Sequence, residues 1–300
     1  MGNNAQQKYK AGDSNQITRE YFDSLLIEMR HIDSVLPSTK LELYGQTFST
    51  PVMTAALSHL DGCHPNGMVE MARGAFKADT VMWTGMGEEA ELEAITATGA
   101  KTIKIIKPHA DNNVIFRKIE HAEKCGAFAI GMDIDHAFNN SGSYDNVMGL
   151  PMTGKTLEEI KSFIRATKLP FIIKGVLSEQ DTFKCLEAGV KGIVVSHHHG
   201  IMDYAVPPLM ILPKIARIVK GSMPIFVDCG VTNGIDVFKA LALGATAVSV
   251  GRTLMGSLTE AGAEGVKGKI EDITRELAGV MARTCSKDIS SIDPSVIWRK

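Results

Sequence analysis

A chain of 300 residues that is 44% apolar and 22% charged has the composition of an ordinary globular protein, and about 250 residues suffice for one (β/α)₈ barrel. Its formal charge of -2 speaks against a general nucleic-acid binder. No stretch approaches the roughly 18 uncharged apolar residues of a membrane span, and Met1 to Gln7 is too polar for a secretory signal.

Residues 1–16 are polar and expected to be flexible, leaving 17–300 for a single domain. Tyr21, Leu25, Leu26 and Met29 recur at a helical period within Ile17 to Arg30. This segment, together with Leu36 to Tyr44, is expected to cover the closed end of the barrel. A strand–helix alternation follows. Strands are expected at 51–56, 80–83, 102–106 and 127–133, with helices at 67–78, 88–98 and 112–125 between them. A loop rich in Gly, Asn and Ser spans 136–152, and a helix at 157–167 leads to a strand at 170–174 and a helix at 179–188. Three further apolar runs close the series, at 191–199, 224–230 and 247–252, with a helix at 236–244. A long amphipathic helix over 264–286 and a tail at 292–298 tied back onto the body complete the chain. About eight β-branched strands, charged or polar only at their C-terminal ends, predict a parallel (β/α)₈ barrel with its site at those tips.

Several residues at the tips could carry chemistry. Lys174 ends a buried strand, where an ammonium can stabilise charge on a cofactor or substrate. Asp228, Cys229 and Gly230 close the next-to-last strand and Gly251 with Arg252 the last, the places where barrels commonly bind phosphate through backbone amides. Adjacent residues on extended backbone point to opposite sides, so at most two of His197, His198 and His199 face one site. One of them as proton acceptor is the favoured reading. A metal would need partners such as Asp133, Asp135, His136 or Asp203. The five cysteines (Cys63, Cys125, Cys185, Cys229, Cys285) are scattered without a CxxC pair, so neither a disulfide framework nor a zinc ribbon is expected, and the cytoplasm is the expected setting.

These motifs together resemble the FMN-dependent α-hydroxy-acid oxidases and dehydrogenases, typified by glycolate oxidase, lactate oxidase and the flavin domain of flavocytochrome b2. The likeness is strongest from Pro170 to Arg252, in the lysine strand Leu169 to Leu177, in Val195 to His198, and in Val227 to Val231 with Asp236 to Ala245 and Gly251-Arg252. His64 to Gly67 and Thr284 to Ile292 extend it over most of the chain.

The resemblance implies FMN as cofactor, a small-molecule substrate and a homo-oligomer, by family habit a tetramer. It implies that Lys174 lies beside the flavin ring, that Thr54, Ala55 and Ala56 line the ring and that Ser196 contacts it. Asp228 would hold the ribityl chain, and Gly230, Gly251 and Arg252 the phosphate. His198 would be the catalytic base, supported by Asp133.

Four departures concern the ligands. The family's arginine three residues after the base is Ile201 here, and its Gln-x-Tyr appears as Lys104 to Ile106. A second arginine falls in Phe138 to Asn140, and a phosphate-binding arginine falls at Thr232. Each lost charge-assisted bond removes roughly 1.5–3 kcal/mol of anchoring, which shifts expectation toward an uncharged alcohol or a replacement cation. Lys104, expected to face inward, Lys107 and the extra histidine His197 are the candidates. The leading expectation is oxidation of a secondary alcohol or 2-hydroxy acid. An NAD(P)H reductase or flavin-dependent isomerase on the same barrel is one alternative, and a non-catalytic phosphate-binding or metal-dependent lyase barrel another.

Overall fold

The computed structural model describes residues 10–300. Helix α1 (Ser14–Ser24) begins inside the segment expected to be flexible, because the Asp13 carboxylate accepts from the backbone N–H groups of Asn15 and Gln16. It also ends earlier than its periodicity suggests. Leu25–Ile27 leaves the helix to pair antiparallel with Ile297–Arg299, which ties the C-terminal tail to the body as expected.

Eight strands follow in chain order: β1 (Val52–Thr54), β2 (Met82–Thr84), β3 (Thr102–Ile106), β4 (Ala129–Asp133), β5 (Phe171–Val176), β6 (Gly192–Val195), β7 (Ile225–Val227) and β8 (Ala247–Val250). Between and after them run α2 (Gly67–Lys77), α3 (Glu89–Thr96), α4 (Asn112–Lys124), α5 (Leu157–Arg165), α6 (Glu179–Ala188), α7 (Pro208–Val219), α8 (Gly234–Ala242) and α9 (Arg252–Ala282). The strands form one parallel sheet in the order β1-β8-β7-β6-β5-β4-β3-β2. Its edges meet through Thr54 N–H to Val81 O at 3.2 Å and the Thr80 hydroxyl to Val52 O at 2.6 Å, which completes the (β/α)₈ barrel.

Helix α7 is an addition to the expected elements. Its buried Leu209, Leu212, Ile215 and Val219 keep a helical spacing, but Pro207, Pro208 and Pro213 obscure it. Proline is tolerated in the first turn, where its missing N–H has no partner to lose. The long final helix starts sooner than expected, at Arg252, and bends where Ala261 and Gly262 leave helical geometry.

Side-chain parity fixes what each strand contributes. Met53, Val81, Trp83, Ile103, Ile105, Ala129, Ile172, Val194, Phe226 and Ala247 form the cluster inside the barrel, where Trp83 and Phe226 meet edge to face at 5.1 Å. Val52, Met82, Ile106, Ile130, Ile173 and Val227 pack outward against the helices. Two-residue alternation therefore aims Asp133, Lys174, Ser196 and Asp228 inward at the C-terminal mouth.

The two N-terminal segments separate. The hairpin of Leu41–Leu43 and Gln46–Phe48 covers the closed end, burying Leu41, Leu43 and Phe48 against the interior cluster, and the Tyr44 hydroxyl donates to Lys191 O at 2.6 Å. Helix α1 goes to the opposite end, contrary to expectation. Thr18 meets His197 there at 2.7 Å, and Arg19 forms a two-pronged pair with Asp236 at 2.8 and 2.9 Å. Position is decided by these polar partners, since amphipathicity says only that one face is buried.

Candidate active site

Lys174 is the buried centre of the mouth. Its Nζ lies 3.2 Å from Asp133 Oδ1, 3.5 Å from Asp228 Oδ2 and 3.3 Å from His198 Nδ1. The Asp133 contact is close enough to attract but is not aligned as a hydrogen bond. Burial alone pushes the ammonium down, but the carboxylates of Asp133, Asp228 and Asp135 outweigh it and hold Lys174 above its ordinary range. Against the same burial, Lys174 and Lys107 hold Asp133 well below the carboxylate range. Lys107 Nζ is 2.6 Å from Asp133 Oδ2.

Lys104 does not face the mouth. It sits one residue out of register with Ile103, Ile105 and Lys107, points outward, and donates to Gly85 O. Burial there pushes its ammonium down to about 8. The inward cation of the third strand is Lys107.

His198 sits just past β6 with φ +48. Its N–H donates to the Ser196 hydroxyl at 3.0 Å, and its Nδ1 is 2.9 Å from Asp135 Oδ1. Asp133, the expected support, is farther away at 3.7 Å because its carboxylate is committed to the two lysines. Asp135 approaches because residue 175 is glycine. Gly175 has φ +95 at an irregularity in the β5–β6 pairing, and a Cβ there would lie 2.6 Å from Asp135 Cγ.

The remaining histidines divide. His197 is buried, with Nε2 on the Thr18 hydroxyl at 2.7 Å and Nδ1 accepting from Gly200 N–H at 2.9 Å, so both nitrogens are spent on structure. His199 accepts from Arg252 Nη2 at 2.7 Å. His136, on the loop after β4, is in the sequence a candidate metal partner only. Its Nε2 lies 3.1 Å from His198 Nε2 and its Nδ1 3.2 Å from Asp145 Oδ2. Asp135 lies two residues past Asp133, in the turn that follows β4, and its nearness to the strand tip is the signal that would have linked it to the site.

A cavity of about 280 Å³ opens beside these groups, lined by Ala55, Ala56, Lys174, His198, His199, Asp228, Cys229, Gly230, Ser249, Gly251, Arg252 and Thr253 among others. Thr54 is not among its lining residues: it faces outward and its hydroxyl accepts from Trp83 N–H at 2.8 Å. The Ser196 hydroxyl is held by His198 N–H, and Ile201 lies in the turn closed by its own N–H to His197 O at 3.1 Å. Burial and Asp228 push the Cys229 thiol up to about 12, so it is not a nucleophile at neutral pH.

The donor set of this cavity fits a flavin phosphate. Arg252, at the N-terminus of α9, has no carboxylate partner among the described residues, and Gly230 has φ +83. An unpaired guanidinium, a helix N-terminus and glycine backbone suit an anion at one end, with the Lys174 ammonium at the other. From α1, Arg19 donates to Gly230 O at 3.2 Å and pairs with Asp236, which also accepts from Thr232, the position where the resembled family has arginine. The cluster of Asp133, Asp135 and His198 has metal-like spacing. Lys107 and Lys174 are already paired with Asp133, however, and the second imidazole nearby, His136, turns its Nε2 to His198.

The chain matches the family described as FMN-dependent dehydrogenase over residues 5–157 and 140–299. It is 30% identical over 292 residues to the peroxisomal (S)-2-hydroxyacid oxidase GLO4 of Arabidopsis thaliana, covering 86% of this chain and 79% of that one. It is 28% identical over 310 residues to the glycolate oxidase of Spinacia oleracea, covering 91% and 82%. Among solved structures it is similar to a mandelate oxidase variant with 2-hydroxy-phenylacetamide, at TM-score 0.87 and 26% identity over 97% of this chain and 90% of that one. A mandelate oxidase variant with a monooxide FMN adduct matches at TM-score 0.87 and 25% identity, over 97% and 92%. With barrel, mouth and sequence in agreement, the chain belongs to the FMN-dependent dehydrogenase family and is an FMN-dependent oxidoreductase.

Proposed function

We propose that this enzyme oxidises a secondary alcohol, the class that includes 2-hydroxy acids, with His198 as the base. The observation that carries the reading is the His198 imidazole, held at Nδ1 by Asp135 at 2.9 Å and lining the same cavity as Lys174. A carboxylate at Nδ1 favours the tautomer with its lone pair at Nε2, which faces His136 Nε2 at 3.1 Å, so His198 takes the hydroxyl proton there once substrate displaces His136. FMN, when bound, supplies the acceptor for the hydride leaving the carbinol carbon. Lys174 offers the ring a buried positive charge. Arg252, Gly230 and Gly251 hold the phosphate, Asp228 the ribityl chain, and Ala55 with Ala56 the ring.

The experiment is anaerobic mixing of FMN-loaded enzyme with a panel of secondary alcohols and 2-hydroxy acids. His198→Ala should stay yellow yet fail to bleach with any compound that bleaches the wild type. Full bleaching by that variant would remove His198 as base. A cytoplasmic setting is supported by five cysteines that are free thiols. A homo-oligomer is supported by Phe138, Tyr144, Met148 and Leu150, exposed together on the loop after β4. Light scattering that reports a monomer would remove the latter.

A further inference from the structure

The His136–His198 pair has an unusual chemical requirement. The two Nε2 atoms face each other at 3.1 Å, with the rings 4.2 Å apart and nearly perpendicular. Each Nδ1 contacts a carboxylate, Asp135 for His198 and Asp145 for His136. A carboxylate only accepts, and Asp135 at 2.9 Å is a nearer partner of His198 Nδ1 than the Lys174 ammonium at 3.3 Å, so in the tautomer the carboxylates favour each Nδ1 carries its hydrogen and each Nε2 turns a lone pair toward the other. Two such lone pairs coexist in one of two ways: one proton is held between them, or a ligand offers a donor to each.

A group that gives its proton to His198 Nε2 must approach from the space that His136 Nε2 occupies. At 3.1 Å the two nitrogens leave no room for an oxygen, so a substrate hydroxyl enters only as the rings part, and His136 then becomes the nearest partner of whatever is attached to the carbinol carbon. The charges around that point are already balanced against an anion. Asp133, Asp135, Asp145 and Asp228 supply four carboxylates, and the ammoniums of Lys107 and Lys174 are both spent on pairs among them. The positions where the resembled family places substrate arginines hold Ile201 and Phe138 to Asn140.

We propose that His136 is the specificity-determining residue of this site, and that it selects a secondary alcohol with a second, uncharged hydrogen-bond donor on the neighbouring carbon, a 2-hydroxy amide or a vicinal diol, over one with a free carboxylate. This rests on the oxidation proposed above. A hydroxy amide donates O–H to His198 and N–H to His136, whereas a carboxylate brings only acceptors and a further negative charge. The groups facing His136 are Asp145 from its own loop, Asp133 at the end of β4, Lys107 beyond β3 and His198 beyond β6, with Asp135 its neighbour in the chain. Burial first and the Lys107 ammonium second push its imidazole down, which keeps it an acceptor at neutral pH.

The test uses the FMN-loaded enzyme and two compounds that cannot be oxidised because they lack a carbinol C–H: 2-hydroxy-2-methylpropanamide and 2-hydroxy-2-methylpropanoate. Dissociation constants are measured by calorimetry near pH 8. The amide should bind at least about tenfold more tightly than the acid, the worth of roughly one buried hydrogen bond. His136→Phe should abolish the amide's advantage, and His136→Gln, whose side-chain oxygen still accepts, should restore part of it. Acid binding as tight as amide binding near pH 8, or His136→Phe binding the amide like wild type, overturns the proposal. If the amide is preferred but no secondary alcohol bleaches the flavin, the oxidation reading falls and His136 is left only as the selector of what the site binds. If 2-hydroxy acids bleach it and the acid is preferred, only this one falls.

Discussion

Lys107 Nζ and Asp133 Oδ2 meet at 2.6 Å inside the mouth of the barrel, and that contact decides how the third strand serves the site. Both side chains are about nine-tenths buried, so removing one leaves an uncompensated charge. Lys107→Met should cost about 3–5 kcal/mol in urea unfolding, whereas Lys104→Met, which removes an ammonium that is already disfavoured by burial, should cost far less. Equal losses would show that Lys107 and Asp133 do not depend on each other.

Asp135, rather than Asp133, is the carboxylate that orients His198. Asp135→Asn should retain FMN and lower the rate of flavin reduction by about 10²–10⁴-fold, because an amide can hold the ring with the wrong nitrogen protonated. Asp133→Asn should act mainly on stability by unpairing Lys107 and Lys174. Stopped-flow reduction and thermal unfolding on the two variants separate these roles.

Gly175→Ala tests the close approach that brings Asp135 in. The added carbon meets Asp135 Cγ at 2.6 Å and sits at φ +95, so a loss of roughly 1–3 kcal/mol is expected. Flavin reduction should fall with it, since Asp135 must move to make room. Normal reduction in a stable variant would contradict this geometry.

Arg252 faces the cavity with only His199 as partner. Arg252→Met should weaken FMN retention by roughly 1.5–3 kcal/mol, about 10- to 150-fold in dissociation constant, read as recovery of free-flavin fluorescence on dilution. Arg19→Ala should release α1 from Asp236 and weaken FMN less, because Arg19 is already paired.

Acid stability follows from Asp133. Its folded carboxyl is held below the unfolded value by Lys174 and Lys107. Its contribution is therefore present above the unfolded value of about 3.9 and is lost as pH falls from there toward the lowered folded value. Wild type should lose stability steeply below about pH 4, and Asp133→Asn should show a flatter acid limb in urea melts.

By itself the sequence determined the barrel and the list of groups at its mouth. Strands of uninterrupted β-branched residues ending in Lys174, Asp228 and Gly251 can be buried only as a parallel sheet with those residues at its tips, and that logic is local. Spacing alone does not say which parity faces inward: the sequence reading aims Lys104 there, whereas the structure turns Ile103, Ile105 and Lys107 inward and Lys104 outward. The tertiary structure alone decided partnership: that Asp135 takes His198, that Asp133 goes to two lysines, that His136 meets His198 across 62 residues of chain, and that α1 lies at the mouth while the hairpin after it covers the closed end. Such pairings depend on where separate βα loops meet in space and on a glycine that admits one side chain, and hydrophobic periodicity has no term for either.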